Sequence, residues 1–131
     1  MTNKGEVYFA LYGDDFDPDD ATNIIGIAPT STKRKATPRP KFSQWKFSVG
    51  EIEDDVIDVY EMSSNLVDTL KKYEDNILVA IKMLGLKAKF QVVLWISTDD
   101  SISTPAIGFE PEVISFIHKL GAYVDIDTYR N

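Results

Sequence analysis

The acidic segment at residues 14–20 is the first place in the sequence where side chains could bind a metal ion. Counted from Asp15, carboxylates fall at positions one, three and five, as at the start of a calcium-binding loop. Such a loop needs glycine at position six and glutamate at position twelve, where this chain has Asp20 and Gly26. Helix capping explains Asp17 and Asp20 without a metal, so we expect no metal ion to bind here.

A second acidic segment, residues 51–61, contains no basic residue. Its carboxylates belong to Glu51, Glu53, Asp54, Asp55, Asp58 and Glu61. The adjacent Asp54 and Asp55 could perform acid–base chemistry if one were buried, but nothing in the sequence buries them. Two interpretations therefore stay open: a solvated face, or an acidic docking patch for a basic partner.

Residues that commonly carry catalysis are sparse. The one histidine, His118, falls in the last turn of a predicted helix, where the helix dipole favours it and no further role is needed. The chain has no cysteine, so it can form neither a thiolate metal site nor a disulfide. Its glycines form no phosphate loop and no serine lies in a nucleophile elbow. We therefore expect no enzymatic activity and no cofactor.

The charge is acidic but unevenly distributed. The 131 residues carry a net charge of −7, yet five basic residues lie within one short segment: Lys33, Arg34, Lys35, Arg39 and Lys41. The rest of the chain contains 9 basic and 21 acidic residues. A body this acidic repels nucleic acid, and the basic segment fits a solvated loop better than a nucleic-acid clamp. We assign Trp45, just beyond it, to the core.

Hydrophobic periodicity predicts four strands and at least three helices. Alternation and aromatic content place the strands at Glu6–Tyr12, Gln44–Val49, Lys87–Ser97 and Ala122–Thr128. Proline in the first turn and glycine at the end predict helices over residues 17–26 and 110–121. Between them, apolar residues at helical spacing predict one helix that starts between Asp54 and Ser63 and a second that is capped by Asp75.

The two proline-initiated helices share the pattern aromatic, acid, proline, acid, at Phe16–Asp19 and Phe109–Glu112. Each follows a predicted strand, which suggests either a pseudo-repeat of strand–helix–strand units or a chance recurrence of a common helix start. We predict one α+β domain over residues 1–131. Its antiparallel or mixed sheet has four to five strands, with helices mainly on one face and a ferredoxin-like pseudo-repeat as one possible outline.

Several segments resemble a bacterial domain family of unknown function found among toxin–immunity loci, including those of contact-dependent inhibition. The resemblance rests on Gly13–Pro18, Ile25–Thr30, Trp45 and Gly121–Tyr129, and it covers nearly the whole chain. The acidic stretch Glu51–Glu61 departs from the family pattern. The family has no assigned catalytic residues, and the resemblance implies an immunity-type role.

The residues also predict where the protein works. The charged residues after Met1 are followed by no apolar run, as a secretory signal would require. No stretch approaches the ~18 apolar residues of a membrane span. We therefore expect a cytoplasmic protein that is monomeric outside its complex and binds neither membrane nor nucleic acid.

The function that best accounts for these features is an immunity protein that neutralises a cognate toxin domain. A nuclease toxin has a basic active-site cleft, which an acidic protein can cover by charge complementarity. The predicted contacts are the six acids of residues 51–61, with Asp14 and Asp15 as a second contributor. The alternative is a small-molecule or calcium-binding regulatory domain, and a third, weaker hypothesis is an enzyme that uses the aspartates.

Overall fold

A computed structural model describes residues 2–131; Met1, the first residue of the predicted domain, lies outside the described part. Five strands form one sheet. They are β1 (Asn3–Gly13), β2 (Ser31–Lys33), β3 (Ser43–Asp54), β4 (Lys87–Ile96) and β5 (Tyr123–Arg130). The four predicted strands are confirmed; most ends agree within three residues, but β3 runs to Asp54, five residues beyond its predicted end. The short strand β2 was not predicted, and it ends at Lys33, the first residue of the basic segment that we expected to be a loop.

Four α-helices connect the strands: α1 (Pro18–Ile25), α2 (Val59–Leu70), α3 (Glu74–Leu84) and α4 (Pro111–Lys119). The helix that we predicted to start between Asp54 and Ser63 is α2. It begins at Val59 with Asp58 as its N-cap, and β3 runs to Asp54. The predicted cap of α3 at Asp75 is wrong. A 3₁₀ turn at Lys71–Tyr73 leads directly into Glu74, so no side-chain cap is needed to restart the helix.

The sheet order is β2-β3-β1-β4-β5, with β1 at the centre. Strand β1 is antiparallel to both β3 and β4, β2 is antiparallel to β3, and β5 is parallel to β4. The predicted α+β class is confirmed, and of the predicted alternatives the sheet is mixed and has five strands.

The two strand–helix–strand units are not equivalent, so the ferredoxin-like outline does not hold in detail. Helix α4 carries the chain back along the sheet, and β5 therefore pairs in parallel with β4. The segment between β1 and β3 leaves and rejoins the same end of the sheet, where Gly13 pairs with Ser43, so these strands are antiparallel. The two similar helix starts share a proline in the first helical turn and not one repeated topology.

The core lies between the helices and one face of the sheet. Strand β1 alternates, so that Val7, Phe9 and Leu11 are buried on the helix side while Tyr8 and Tyr12 lie on the opposite side. The ring of Phe9 contacts that of Phe116 in α4 at 5.7 Å between centroids. The second face, which the helices leave uncovered, is called the open face below.

A β-bulge interrupts the pairing of β1 with β3. Glu6 pairs with Glu51 and Tyr8 with Ser48, so Val49 and Gly50 together oppose one residue of β1. Gly50 adopts a φ of 103°, which a residue with a side chain rarely adopts. Because the bulge adds one residue to β3, each side chain after Gly50 lies on the face opposite to the one that unbroken alternation would give. The bulge therefore decides which face each acid from Glu51 to Asp54 occupies.

Helix α1 starts at Pro18 as predicted, but the Asp20 side chain, which we expected to take part in capping, makes no hydrogen bond within residues 2–131. The side chain of Asp17 accepts a hydrogen bond from the Asp19 backbone N–H at 2.9 Å, Pro18 occupies the first helical position, and Gly26 ends the helix in the left-handed conformation. Helix α4 starts at Pro111 with Glu110 as its N-cap, also as predicted, although that side chain makes no capping hydrogen bond.

Asp17→Ala is expected to lower the free energy of unfolding by about 1 kcal/mol, because alanine cannot accept the Asp19 N–H. Chemical denaturation measures the change. Asp17→Asn is the control, since it keeps an acceptor and loses only the exposed ion pair with Arg34 at 3.4 Å. An alanine variant as stable as the wild type would contradict the capping role.

Candidate functional site

The end of β3 and the start of α2 place three of the eight predicted acidic contacts close together. The chain turns at Asp55–Ile57, and a backbone hydrogen bond from Val59 N–H to the Ala106 carbonyl anchors the start of the helix. The turn brings Asp54 near the first turn of α2, which carries Asp58 and Glu61.

These three carboxylates line one cavity of about 310 Å³, which we call the acidic cleft. Its lining residues are Ile52, Asp54, Val56, Ile57, Asp58, Glu61, Met62 and Asn65. No basic residue is among them. The exposed apolar side chains of Ile52 and Val56 lie beside the acids, and Val56 is 70% exposed. A long basic side chain fits this combination, because its aliphatic stem packs on apolar walls while its head meets carboxylates.

Two of the cleft carboxylates also hold the backbone in place. Asp58 Oδ1 accepts a hydrogen bond from the Tyr60 N–H at 3.0 Å and caps α2, and Asp54 Oδ1 accepts one from the Val56 N–H at 3.2 Å. Within residues 2–131, Glu61 has no side-chain hydrogen bond or ion pair. Glu61 is thus the cleft acid that is least committed to the fold.

Strand geometry separates the other acids of residues 51–61 from the cleft. Glu51 and Glu53 pair in register with Glu6 and Lys4, whose side chains lie on the open face. Lys4 Nζ lies 3.9 Å from a Glu51 carboxylate oxygen. Asp55 is exposed in the turn. Five of the six predicted contacts therefore form two groups on different faces, and Asp55 lies in the turn between β3 and α2.

Asp14 and Asp15 lie at the other end of the sheet from the cleft. They follow Gly13, whereas the cleft adjoins Asn3, and β1 spans 11 residues between these ends, which is roughly 35 Å. Lys35 Nζ contacts Asp14 at 2.9 Å, and Arg34 lies 4.0 Å from Asp15. The basic segment thus offsets this acidic segment, and the two aspartates do not extend the cleft.

The sequence of residues 2–131 matches a family described as a domain of unknown function, DUF4279. The chain belongs to this family. No curated protein matches the chain, and no solved structure matches it. The family description assigns no activity to any residue, so the site must be argued from the chemistry of this DUF4279 domain itself.

Sequence reasoning missed the aromatic content of the open face in this DUF4279 domain. Five rings lie on it, those of Tyr8, Tyr12, Trp95, Tyr123 and Tyr129. Trp95 stacks on Tyr129 at 5.9 Å between centroids. The signal was present in the alternation of Tyr8 and Tyr12 with the apolar residues of β1.

Two tyrosines of the open face resist ionisation. Burial raises the pKa of Tyr8, and the negative charges of Glu6, Asp127 and Asp125 raise it further. Burial also raises the pKa of Tyr12 to about 12, together with the hydrogen bond that its hydroxyl donates to the Tyr123 hydroxyl at 2.9 Å. Both phenols are therefore neutral donors at physiological pH.

Residues 2–131 contain no group of three or more potential ligand side chains arranged to hold a metal ion. His118 lies exposed in the last turn of α4, as predicted. The helices of the described part are all too short or too polar to cross a membrane.

Proposed function

We propose that this domain is a protein-binding module that accepts a basic side chain of a partner in the acidic cleft. The observation that carries the proposal is the convergence of Asp54, Asp58 and Glu61 on one cavity that has apolar walls and no lining base. An arginine or lysine in this cavity would gain charge-assisted hydrogen bonds and apolar contact together.

The specific partner that we propose is a cognate toxin domain, with this protein as its cytoplasmic immunity protein. The support is the resemblance to domains found among toxin–immunity loci, together with the net charge of −7. A nuclease toxin must bind phosphate and so presents lysine and arginine around its active site. An acidic cleft that takes one of these residues would cover the toxin's active site and exclude nucleic acid.

The same electrostatics would speed association. Cleft acids attract a basic surface over roughly the Debye length, about 8 Å at physiological ionic strength, and rising salt shortens that range. The association rate should therefore fall as salt increases. The dissociation rate, which depends on contacts already made, should change less.

The test is co-expression of the protein with the toxin domain encoded beside it, scored by cell survival and by the affinity of the purified pair. Asp54→Lys/Glu61→Lys is expected to weaken the affinity about tenfold or more, because like charges would then face each other. Asp58 is left unchanged because it caps α2. Asp20→Lys, an exposed acid in α1, is the control for a charge reversal away from the cleft.

A cleft variant that melts like the wild type yet no longer protects cells would support the proposal. Full protection by that variant, with unchanged affinity, would place the interface elsewhere. If the wild-type protein shows no affinity for the neighbouring toxin domain, the immunity role is wrong.

A further inference from the structure

The outer edge of β5 offers a row of backbone hydrogen-bonding groups. Within residues 2–131, β5 pairs with β4 alone. The Asn131 N–H donates to the Ile96 carbonyl at 2.8 Å, so its backbone faces β4. Because backbone groups alternate along a strand, those of Val124, Ile126 and Thr128 point away from β4.

Apart from its charged side chains, this edge lacks the features that usually protect a sheet edge. Its register with β4 is continuous from Tyr123 to Arg130, without a bulge, and the strand contains neither proline nor lysine. The opposite edge is different: β2 has three residues, and β3 is bent by its bulge at Gly50. Strand β5 is therefore the long, regular edge of this sheet.

The side chains of β5 suit contact on both faces. Val124 and Ile126 are 39% and 40% exposed on the helix side. Asp125 and Asp127 lie on the open face, and neither has an ion pair in the described part of the chain. Gln91, which is only 2% exposed, donates to the Asp125 carbonyl at 3.2 Å and to Asp127 Oδ2 at 3.3 Å.

The negative charges of Asp125 and Asp127 disfavour pairing of the outer edge of β5 with β5 of a second copy of this chain. Two β5 strands could continue the sheet around a twofold axis centred on Ile126, but Asp125 would then face Asp127 of the other copy at both ends. An axis centred on Asp127 would place that residue opposite itself. Like charges directly opposite destabilise strand pairing, so both of these registers are disfavoured, whereas a strand with basic residues opposite Asp125 and Asp127 is favoured.

We propose that the outer edge of β5 binds an extended segment of a partner protein by strand addition, and that this segment carries lysine or arginine at alternate positions. The basic side chains meet Asp125 and Asp127 on the open face. The residues between them are apolar and pack beside Val124 and Ile126. Backbone hydrogen bonds supply affinity, and the alternating side chains supply specificity. This surface is separate from the acidic cleft.

The probe is a synthetic nine-residue peptide of alternating lysine and valine, added to the full chain and followed by fluorescence anisotropy and amide NMR. Binding is expected to shift the amide signals of Val124, Ile126 and Thr128. Thr128→Pro should abolish binding, because proline removes an outward N–H while leaving the β4 pairing intact. Thr128→Val, which keeps that N–H, should bind like the wild type.

Asp125→Asn/Asp127→Asn tests the charge requirement. Asparagine keeps the shape and the acceptor for Gln91, so the fold is retained while affinity falls about tenfold or more. A peptide with glutamate in place of lysine should not bind. In Asp54→Lys/Glu61→Lys the peptide should still shift the amide signals of Val124, Ile126 and Thr128, which separates this proposal from that of the cleft.

Three results would overturn the proposal. One is the absence of binding between the wild-type chain and the lysine peptide. The second is a Thr128→Pro variant that melts normally and binds unchanged, since contact would then not use the backbone edge. The third is loss of peptide binding in the cleft variant but not in the β5 asparagine variant.

Discussion

Trp45→Ala is expected to lower the free energy of unfolding by about 3–5 kcal/mol, the range for removing a large aromatic side chain from a core. Trp45 is fully buried on β3, its ring stacks with that of Phe47, and its Nε1–H donates to Thr22 Oγ1 at 3.0 Å. The variant loses the apolar contacts, leaves a cavity and removes the donor to Thr22 Oγ1, although the Thr22 hydroxyl still donates to the Pro18 carbonyl at 3.3 Å. Urea denaturation followed by circular dichroism measures the loss.

The second tryptophan provides a matched control. Trp95 is half-buried on the open face, where it stacks on Tyr129 and lies 4.3 Å below Lys4 Nζ. Trp95→Ala removes those contacts but leaves no enclosed cavity, so it should cost about 1–2 kcal/mol. Equal losses for the two variants would contradict the assignment of Trp45 to the core and Trp95 to the surface.

Local chemistry was predictable from the sequence wherever a single element contained its own signal. Alternation and aromatic content between Glu6 and Tyr12 predicted β1. Proline at positions 18 and 111 marked the starts of α1 and α4, because each fixes a φ that suits the first helical turn. Those signals come from neighbouring residues and need no knowledge of the rest of the fold.

Strand order and strand direction were not predictable in the same way. The parallel pairing of β4 with β5 depends on how α4 returns the chain across the sheet, and no residue of either strand encodes that alone. The short strand β2 contains only exposed residues. It has no buried face, so hydrophobic periodicity gives no signal for it.

The candidate site was predictable as a segment but not as a surface. The acids of residues 51–61 stood out by charge alone. The bulge at Gly50 and the strand alternation then assign Glu51 and Glu53 to the open face and Asp54 to the cleft. The pairing of Asp14 with Lys35 joins segments 21 positions apart, so the sequence overstated the free negative charge near α1.

Asn3→Asp is expected to lower the free energy of unfolding by about 3 kcal/mol although it changes only one side-chain group. Asn3 is 1% exposed, and its Oδ1 accepts the Ser97 N–H at 2.7 Å. Its Nδ2 donates to the carbonyls of Ser103 at 2.8 Å and Asp55 at 3.2 Å. A carboxylate cannot donate, so it would place a buried negative charge against two carbonyl oxygens.

The effect should reach the acidic cleft, because the Asp55 carbonyl belongs to the turn that joins Asp54 to α2. Amide hydrogen exchange is expected to accelerate around that turn before the helices open. Asn76→Asp is the control: it makes the same chemical change at an exposed residue whose amide donates once, to the Ile25 carbonyl at 3.2 Å. Asn76→Asp should lower the free energy of unfolding by less than about 1 kcal/mol. If Asn3→Asp were no more damaging than this control, Asn3 could not be the residue that holds the cleft turn to the sheet.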